Sequence, residues 1–176
     1  MKCGKSRVFV QSVIVIAVML LLVTGCSKKT PQQVIDVNAA MARAKDNGAA
    51  VYVPDATKSL QGEVDQMNGL VDEKKMKKAR KAAEPLLPKV EDLDKQAMDA
   101  RAKAKADAEA AIKRATDAVG QAKQAEAAKY NAAGLKQAEG KLAEAKALMS
   151  DPMKYLEAKK LAEDAERQAK NAREAA

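Results

Sequence analysis

Small apolar residues recur at alternating intervals of three and four along most of this chain. In the last segment the series is Tyr155, Ala158, Ala162, Ala165, Ala169, Ala172 and Ala176. Such intervals place residues on one face of an α-helix, and when they are sustained over several heptads they are typical of coiled coils. The pattern therefore predicts helices that pack along narrow, alanine-lined seams.

The same interval appears in earlier segments. One series is Val34, Val37, Met41, Ala44, Gly48 and Val51, and another is Leu135, Ala138, Leu142, Ala145 and Met149. The longest series runs from residue 76 to residue 125 and continues across Pro85 and Pro88, where we expect a kink rather than a boundary. Its one irregularity is a step of four from Ala104 to Ala108, a stutter that unwinds a supercoil locally.

The first 25 residues have a different composition. Lys2, Lys5 and Arg7 precede an apolar run of 11 residues, 13–23, which is shorter than the roughly 20 residues that span a bilayer. This pattern predicts a secretion signal. The segment ends in Val23-Thr24-Gly25-Cys26, which resembles the bacterial lipobox.

We therefore expect cleavage before Cys26 and acylation of its thiol, with two or three chains such as palmitate forming a durable membrane anchor. The alternatives are an ordinary signal peptide, or an uncleaved anchor, with a cysteine that follows Gly25 by coincidence. By analogy with Gram-negative lipoproteins, Ser27 after the cysteine resembles an outer-membrane sorting signal. The predicted location is the periplasmic face of the outer membrane.

After cleavage the chain would have 151 residues, a net charge of +5 and a single cysteine, so it could form no intramolecular disulfide. Leu, Ile, Val and Phe make up only 20 of these residues, a fraction that is typical of disorder. Ala, Glu, Lys, Leu and Arg make up 88, a fraction that is typical of long helices. The periodicity favours the helical interpretation.

Alignment of the chain with itself places Ala49-Ala50-Val51-Tyr52 over Ala127-Ala128-Lys129-Tyr130, which indicates an internal repeat. Pro54 at a helix start, Asn131 as a cap, and Ser150-Asp151-Pro152 between helices mark the breaks. The predicted helices are 31–50, 54–72, 75–98, 99–128, 131–149 and 152–175.

This arrangement predicts an all-α fold with two tandem antiparallel three-helix repeats, coiled-coil-like, that form an elongated rod. The predicted divisions are a signal peptide at 1–25, a lipid-anchored tether at 26–30, repeat 1 at 31–98 and repeat 2 at 99–176. No stop signal separates the third helix from the fourth, so we expect the two to be continuous. Two units of about 33 Å in tandem would reach about 70 Å.

The second repeat resembles the bacterial lipoproteins that contain the domain of unknown function 4398. The residues that carry the resemblance are 128–139 (AKYNAAGLKQAE), 141–145 (KLAEA) and 155–165 (YLEAKKLAEDA). The resemblance implies helical hairpins with an alanine-tyrosine turn on an exported lipoprotein. It implies no activity, because the family has none assigned.

The sequence predicts no catalytic residue, no cofactor and no metal ligand, because it has no His and its one mature cysteine is the predicted lipid attachment site. Asp92 and Asp94, two residues apart, would point in different directions on a helix. The tyrosines at residues 52, 130 and 155 could stack on sugars, but we favour plugs at the ends of a helix bundle.

The sharpest charge feature is the run Lys74-Lys75-Met76-Lys77-Lys78-Ala79-Arg80-Lys81. It could contact anionic lipid headgroups or the carboxylates of peptidoglycan stem peptides. The alternative, which the sequence by itself favours, is a solvated helix face.

Together these features predict a non-enzymatic, membrane-anchored periplasmic lipoprotein that acts as a helical spacer or interaction scaffold in the cell envelope. Its partners would be the membrane through the N-terminal lipid, peptidoglycan or envelope proteins through non-covalent contacts, and further copies of itself, but not nucleic acid. The alternative is a stress-protective protein that resembles desiccation proteins and folds only when dry or membrane-bound.

Overall fold

The computed structural model describes residues 29–176, which are α-helical apart from their ends and turns. The helices of this part of the chain are α1 (Gln32–Asp46), α2 (Ala49–Tyr52), α3 (Pro54–Asp72), α4 (Met76–Gln124), α5 (Ala127–Tyr130), α6 (Ala132–Leu148) and α7 (Tyr155–Glu174). The prediction of an all-α fold is confirmed. The predicted signal peptide and Cys26 lie outside the described residues.

Residues 31–176 form one unit that is organised around α4. With 49 residues, this helix is about 73 Å long. Helices α1 and α3 pack against its first half, whereas α6 and α7 pack against its second half and against each other. The predicted helices 75–98 and 99–128 are joined in this single helix, as expected, and it ends at Gln124.

Pro85 and Pro88 lie inside α4 without ending it. Both are exposed, whereas Ala83 and Leu86 between and beside them are buried. The carbonyls that lose a backbone partner to these prolines are those of Lys81 and Glu84, on residues that water can reach. This placement explains why the helix tolerates two interior prolines.

Hydrogen bonds define the direction of the first three long helices. Asn38, close to the middle of α1, exchanges two side-chain hydrogen bonds, of 3.0 and 3.1 Å, with Asn68 near the end of α3, and Lys89 of α4 pairs with Glu63 of α3 at 2.7 Å. Asn47, just after α1, donates to Asp94 in the middle of α4 at 2.6 Å. Helix α1 is therefore antiparallel to α3 and parallel to α4. The start of α1, the end of α3 and the start of α4 lie at the same end of this unit.

Two cores of unequal composition lie on the two halves of α4. The N-terminal core, residues 34–97, has 14 buried residues, of which six are alanine. The C-terminal core, residues 111–172, also has 14, but 11 of them are alanine and the larger ones are Val119, Leu135 and Leu142. Because an alanine buries little area, the C-terminal core gains less from the hydrophobic effect.

A small junction cluster lies between the two cores. Ala104 and Ala108 of α4 pack there with Tyr155 and Ala158 of α7. The step of four from Ala104 to Ala108, which the sequence marks as a stutter, therefore lies between the half of α4 that packs against α1 and α3 and the half that packs against α6 and α7.

Two turns at equivalent positions of the sequence repeat have the same backbone conformation. Gly48 (φ 95°) and Glu126 (φ 58°) are left-handed, each precedes a four-residue helix, and each helix is followed by a residue near φ −140° and ψ 60°, namely Val53 and Asn131. The offset at which the sequence repeats therefore coincides with a repeated local structure.

The predicted first helix, 31–50, is wrong at its end. Helix α1 stops at Asp46, and Gly48 turns the chain through a left-handed conformation that glycine adopts without strain. After this turn the buried face of the chain shifts by one residue. Ala49 is therefore buried, whereas Val51, which the series of three and four places on the buried face, is 39% exposed. Other predicted bounds are correct: Pro54 is the first residue of α3, and Asn131 caps α6 by accepting a 3.0 Å hydrogen bond from the Gly134 amide.

The last predicted helix start is early by three residues, because α7 begins at Tyr155 rather than at residue 152. The Asp151 carboxylate accepts a 2.9 Å hydrogen bond from the backbone N–H of Met153, which forms a side-chain-stabilised turn. This turn delays the helix past Pro152.

Candidate interaction surfaces

The basic run identified in the sequence lies at the same end of residues 31–176 as Pro31, the first residue of that unit. It covers the turn between α3 and α4 and the first turns of α4, next to the start of α1 at Gln32. We call residues 73–81 the basic end. Cys26 itself is outside the described residues, but only four residues separate it from Pro31 in the sequence.

The basic end carries a concentration of positive charge, whereas the rest of residues 31–176 has a small net negative charge. Residues 74–81 contain six Lys and Arg, all exposed, and no carboxylate. The remainder of residues 31–176 contains 21 Lys and Arg against 24 Asp and Glu, a net charge of −3. Positive charge in this unit is therefore localised at one end.

Few of these cations have a carboxylate partner. Lys75 lies 2.5 Å from Glu73 and Arg80 lies 3.5 Å from Glu84, and both pairs are local along the chain. The hydrogen bond from Lys75 and its positive charge hold the pKa of Glu73 below its usual value. Within residues 29–176, no carboxylate lies within 4.0 Å of the other four, which are Lys74, Lys77, Lys78 and Lys81.

Elsewhere some charged side chains pair between helices. Four such pairs connect the helices around the C-terminal core: Lys159 with Asp107, Arg114 with Glu166, Lys123 with Glu139, and Lys141 with Asp164. Hydrogen bonds from these cations lower the pKa of Asp107 and of Asp164, and Lys170 together with Arg114 lowers that of Glu166. These four pairs connect different helices, whereas the two pairs of the basic end are local along the chain.

The three tyrosines have different environments. Tyr155 is buried at the junction, and the hydroxyl of Tyr52 donates a hydrogen bond to the backbone carbonyl of Pro152. Burial raises the pKa of Tyr52, and a hydrogen bond with the Tyr155 backbone partly offsets that rise. Tyr130 occupies the equivalent turn at the far end of α4 and is 65% exposed. The expected role of a plug therefore fits Tyr52 and Tyr155 but not Tyr130.

A groove of about 390 Å³ runs between α4 and α6. Its lining residues are Thr116, Val119, Gly120, Lys123, Glu139, Leu142, Ala143 and Lys146. The hydroxyl of Thr116 donates to the carbonyl of Ile112 at 2.7 Å, and Lys123 pairs with Glu139 at 2.6 Å. These polar groups of the groove are thus engaged with each other or with backbone.

Asp92 and Asp94 have separate hydrogen-bond partners. Asp94 accepts the hydrogen bond from Asn47, whereas Asp92 accepts one of 2.6 Å from Gln96 one turn further along α4. Each carboxylate has its own partner on a different side of the helix, as their spacing predicts. In residues 29–176, no three His, Cys, Asp or Glu side chains lie close enough together to bind a metal ion.

None of the described helices combines the length and the apolar character that crossing a membrane requires. No known protein family, curated protein or solved structure matches the chain.

Proposed function

We propose that the mature chain is a non-enzymatic lipoprotein of the cell envelope, anchored through Cys26 to the periplasmic face of the outer membrane, that acts as a helical spacer or interaction scaffold. The observation that carries this proposal is α4, one helix of about 73 Å with a separate core on each half. A helix supported on both halves resists bending. The tether precedes α1 at one end, and Tyr130 is exposed at the other.

We also propose that residues 31–98 and 99–176 are tandem three-helix repeats. The turns at Gly48 and Glu126, which occupy equivalent positions in the two halves, support this interpretation. The helix order supports it too, because each half of α4 packs with two further helices joined by short turns. A repeat architecture lengthens a chain along one axis by adding similar units.

Mass spectrometry of the protein purified from bacterial envelopes tests the anchor. The N-terminal peptide should begin at Cys26 and carry the mass of a diacylglyceryl group with or without a third acyl chain. The Cys26→Ala variant should keep residues 1–25 and lose this mass. An unmodified Cys26 in the otherwise mature protein would refute the anchor.

Small-angle X-ray scattering of residues 27–176, produced without the leader, tests the spacer. The longest dimension should reach or exceed the length of α4, about 73 Å. A compact particle of about 150 residues would instead have a radius of gyration of about 15 Å, and a value close to that would refute a spacer of this length.

The alternative, a stress-protective protein that folds only when dry or membrane-bound, has one observation in its favour. Alanine accounts for 20 of the 32 buried hydrophobic residues of the described chain, which limits the free energy available from burial. Circular dichroism separates the two functions. The spacer requires strong helicity and a cooperative melt in plain buffer, whereas the alternative requires a coil that becomes helical in alcohol.

Contacts with peptidoglycan or envelope proteins, and self-association, remain part of the proposal for the scaffold. Cross-linking in intact cells followed by mass spectrometry would identify the molecules that contact the exposed end around Tyr130. A matched experiment with the crosslinker placed at Lys58, which is exposed on α3, is the control for non-specific capture.

A further inference from the structure

The basic end has no structural explanation in the fold. A helix N-terminus carries a partial positive charge, so anions stabilise it and cations destabilise it. The first turn of α4 has no acidic residue and instead has Lys77 and Lys78, with Lys74 and Lys75 immediately before it. This arrangement opposes helix stability, and local rules are most often broken where function requires it.

The cations surround the helix rather than occupy one side. Ala79 is fully buried, so Lys78 and Arg80 lie about 100° to either side of it and Lys77 and Lys81 lie on the opposite face. Side chains on a helix lean toward its N-terminus. Lys77 and Lys78, in the first turn of α4, are therefore placed to lean toward the end of the unit where α4 begins, as a contact made end-on requires.

Few residues separate the start of this unit from the predicted anchor at Cys26. Five residue steps connect Cys26 to Pro31, which limits their separation to about 18 Å even when fully extended. A basic segment near an anionic leaflet is attracted within about one Debye length, roughly 8 Å at physiological salt. Lysine side chains that extend toward the surface can cover much of the remaining distance.

Resting on the lipid anchor proposed above, we propose that the basic end binds the anionic phospholipid headgroups of the membrane that holds the acyl chains, so that α4 projects away from the surface. The charge complementarity, the short tether and the end-on distribution of the cations all favour a membrane surface. Peptidoglycan carboxylates would lie further from the anchor.

Amine labelling of the intact, processed lipoprotein tests this proposal. The protein is reconstituted into vesicles of phosphatidylcholine alone or of phosphatidylcholine and phosphatidylglycerol mixed two to one, and the lysines are labelled and quantified by mass spectrometry. Lys74, Lys75 and Lys77 should be labelled about fivefold more slowly on the anionic vesicles, because about one kcal/mol of attraction per cation corresponds to about fivefold. Lys136, on α6, is the internal control and should be labelled equally on both.

Two variants with the same loss of four charges give the matched comparison. In the variant Lys74→Gln, Lys77→Gln, Lys78→Gln and Lys81→Gln, the protection of Lys75 should disappear. In the control variant Lys58→Gln, Lys103→Gln, Lys113→Gln and Lys136→Gln, all at exposed sites on α3, α4 and α6, the protection of Lys75 should persist.

These measurements distinguish a failure of headgroup binding from a failure of the lipid anchor. Flotation of the wild-type protein with phosphatidylcholine vesicles reports the acyl chains, because those vesicles have no net charge. Equal labelling on both vesicles, equal loss of protection in both variants, or protection that survives high salt would overturn binding to headgroups. Stronger protection by isolated peptidoglycan sacculi than by anionic vesicles would assign the basic end to the cell wall instead.

Discussion

The C-terminal core depends on very few large side chains, and Leu142→Ala is the perturbation that tests this. Leu142 is 7% exposed and is one of three larger buried residues among 14 in that core. Replacing a buried leucine by alanine costs about 2–5 kcal/mol, and the larger costs belong to sites that leave a closed cavity. Because Leu142 borders an open groove, we expect a cost of about 2–3 kcal/mol.

Native-state hydrogen exchange measured by mass spectrometry locates this loss. The amides of 111–122, 135–145 and 162–172 should exchange roughly 30 to 150 times faster in Leu142→Ala, since each 1.4 kcal/mol is a factor of about ten. The amides of 34–44 should keep their rates, because they belong to the other core and proteins open in local cooperative units.

Leu93→Ala is the matched control in the N-terminal core, where Leu93 is 2% exposed. It should accelerate exchange in 34–44 and in the first half of α4 while leaving 162–172 unchanged. If either variant accelerates exchange equally in both cores, residues 31–176 open as one unit, and the reasoning from two separate cores is refuted.

Three further predictions concern the turns and the ion pairs. Asn131→Ala should lower the stability by about 1 kcal/mol through loss of the cap, whereas Asn131→Asp should not; equal melting temperatures for the two variants would contradict this. Gly48→Ala should destabilise, because φ is +95° and the new Cβ would lie 2.9 Å from a tyrosine ring, whereas Gly120→Ala, with open space at a helical site, should stabilise by about 0.5–1 kcal/mol in the same thermal melts. The pKa of Asp164 is lowered in the folded state by a hydrogen bond from Lys141, so its contribution to stability is present above its unfolded value of 3.8 and is lost as the pH falls through the folded value. Melts from pH 6 to pH 2 should therefore show a smaller acid-induced loss in Asp164→Asn than in wild type, and parallel curves would disprove the linkage.

The steps of three and four predicted the long helices, though not all of their ends, because the pattern of small and polar residues along one helix is a local property. The cap at Asn131, the start of α3 at Pro54 and the continuity of α4 across two prolines could be predicted for the same reason. The exposure of Val51 could not be predicted, because a single left-handed residue, Gly48, changes which positions are buried between one helix and the next.

The sequence by itself determined the helical periodicity, the alanine seams, the offset of the internal repeat and the existence of a basic run. Only the tertiary structure decided which of these features meet. Tyr52 and Tyr130 occupy turns with the same backbone, yet Tyr52 bonds to Pro152 and Tyr130 is exposed, because burial depends on what packs against a turn from elsewhere in the chain. For the same reason the basic run became a candidate surface only when the packing of α1, α3 and α4 placed it at the same end as the start of α1.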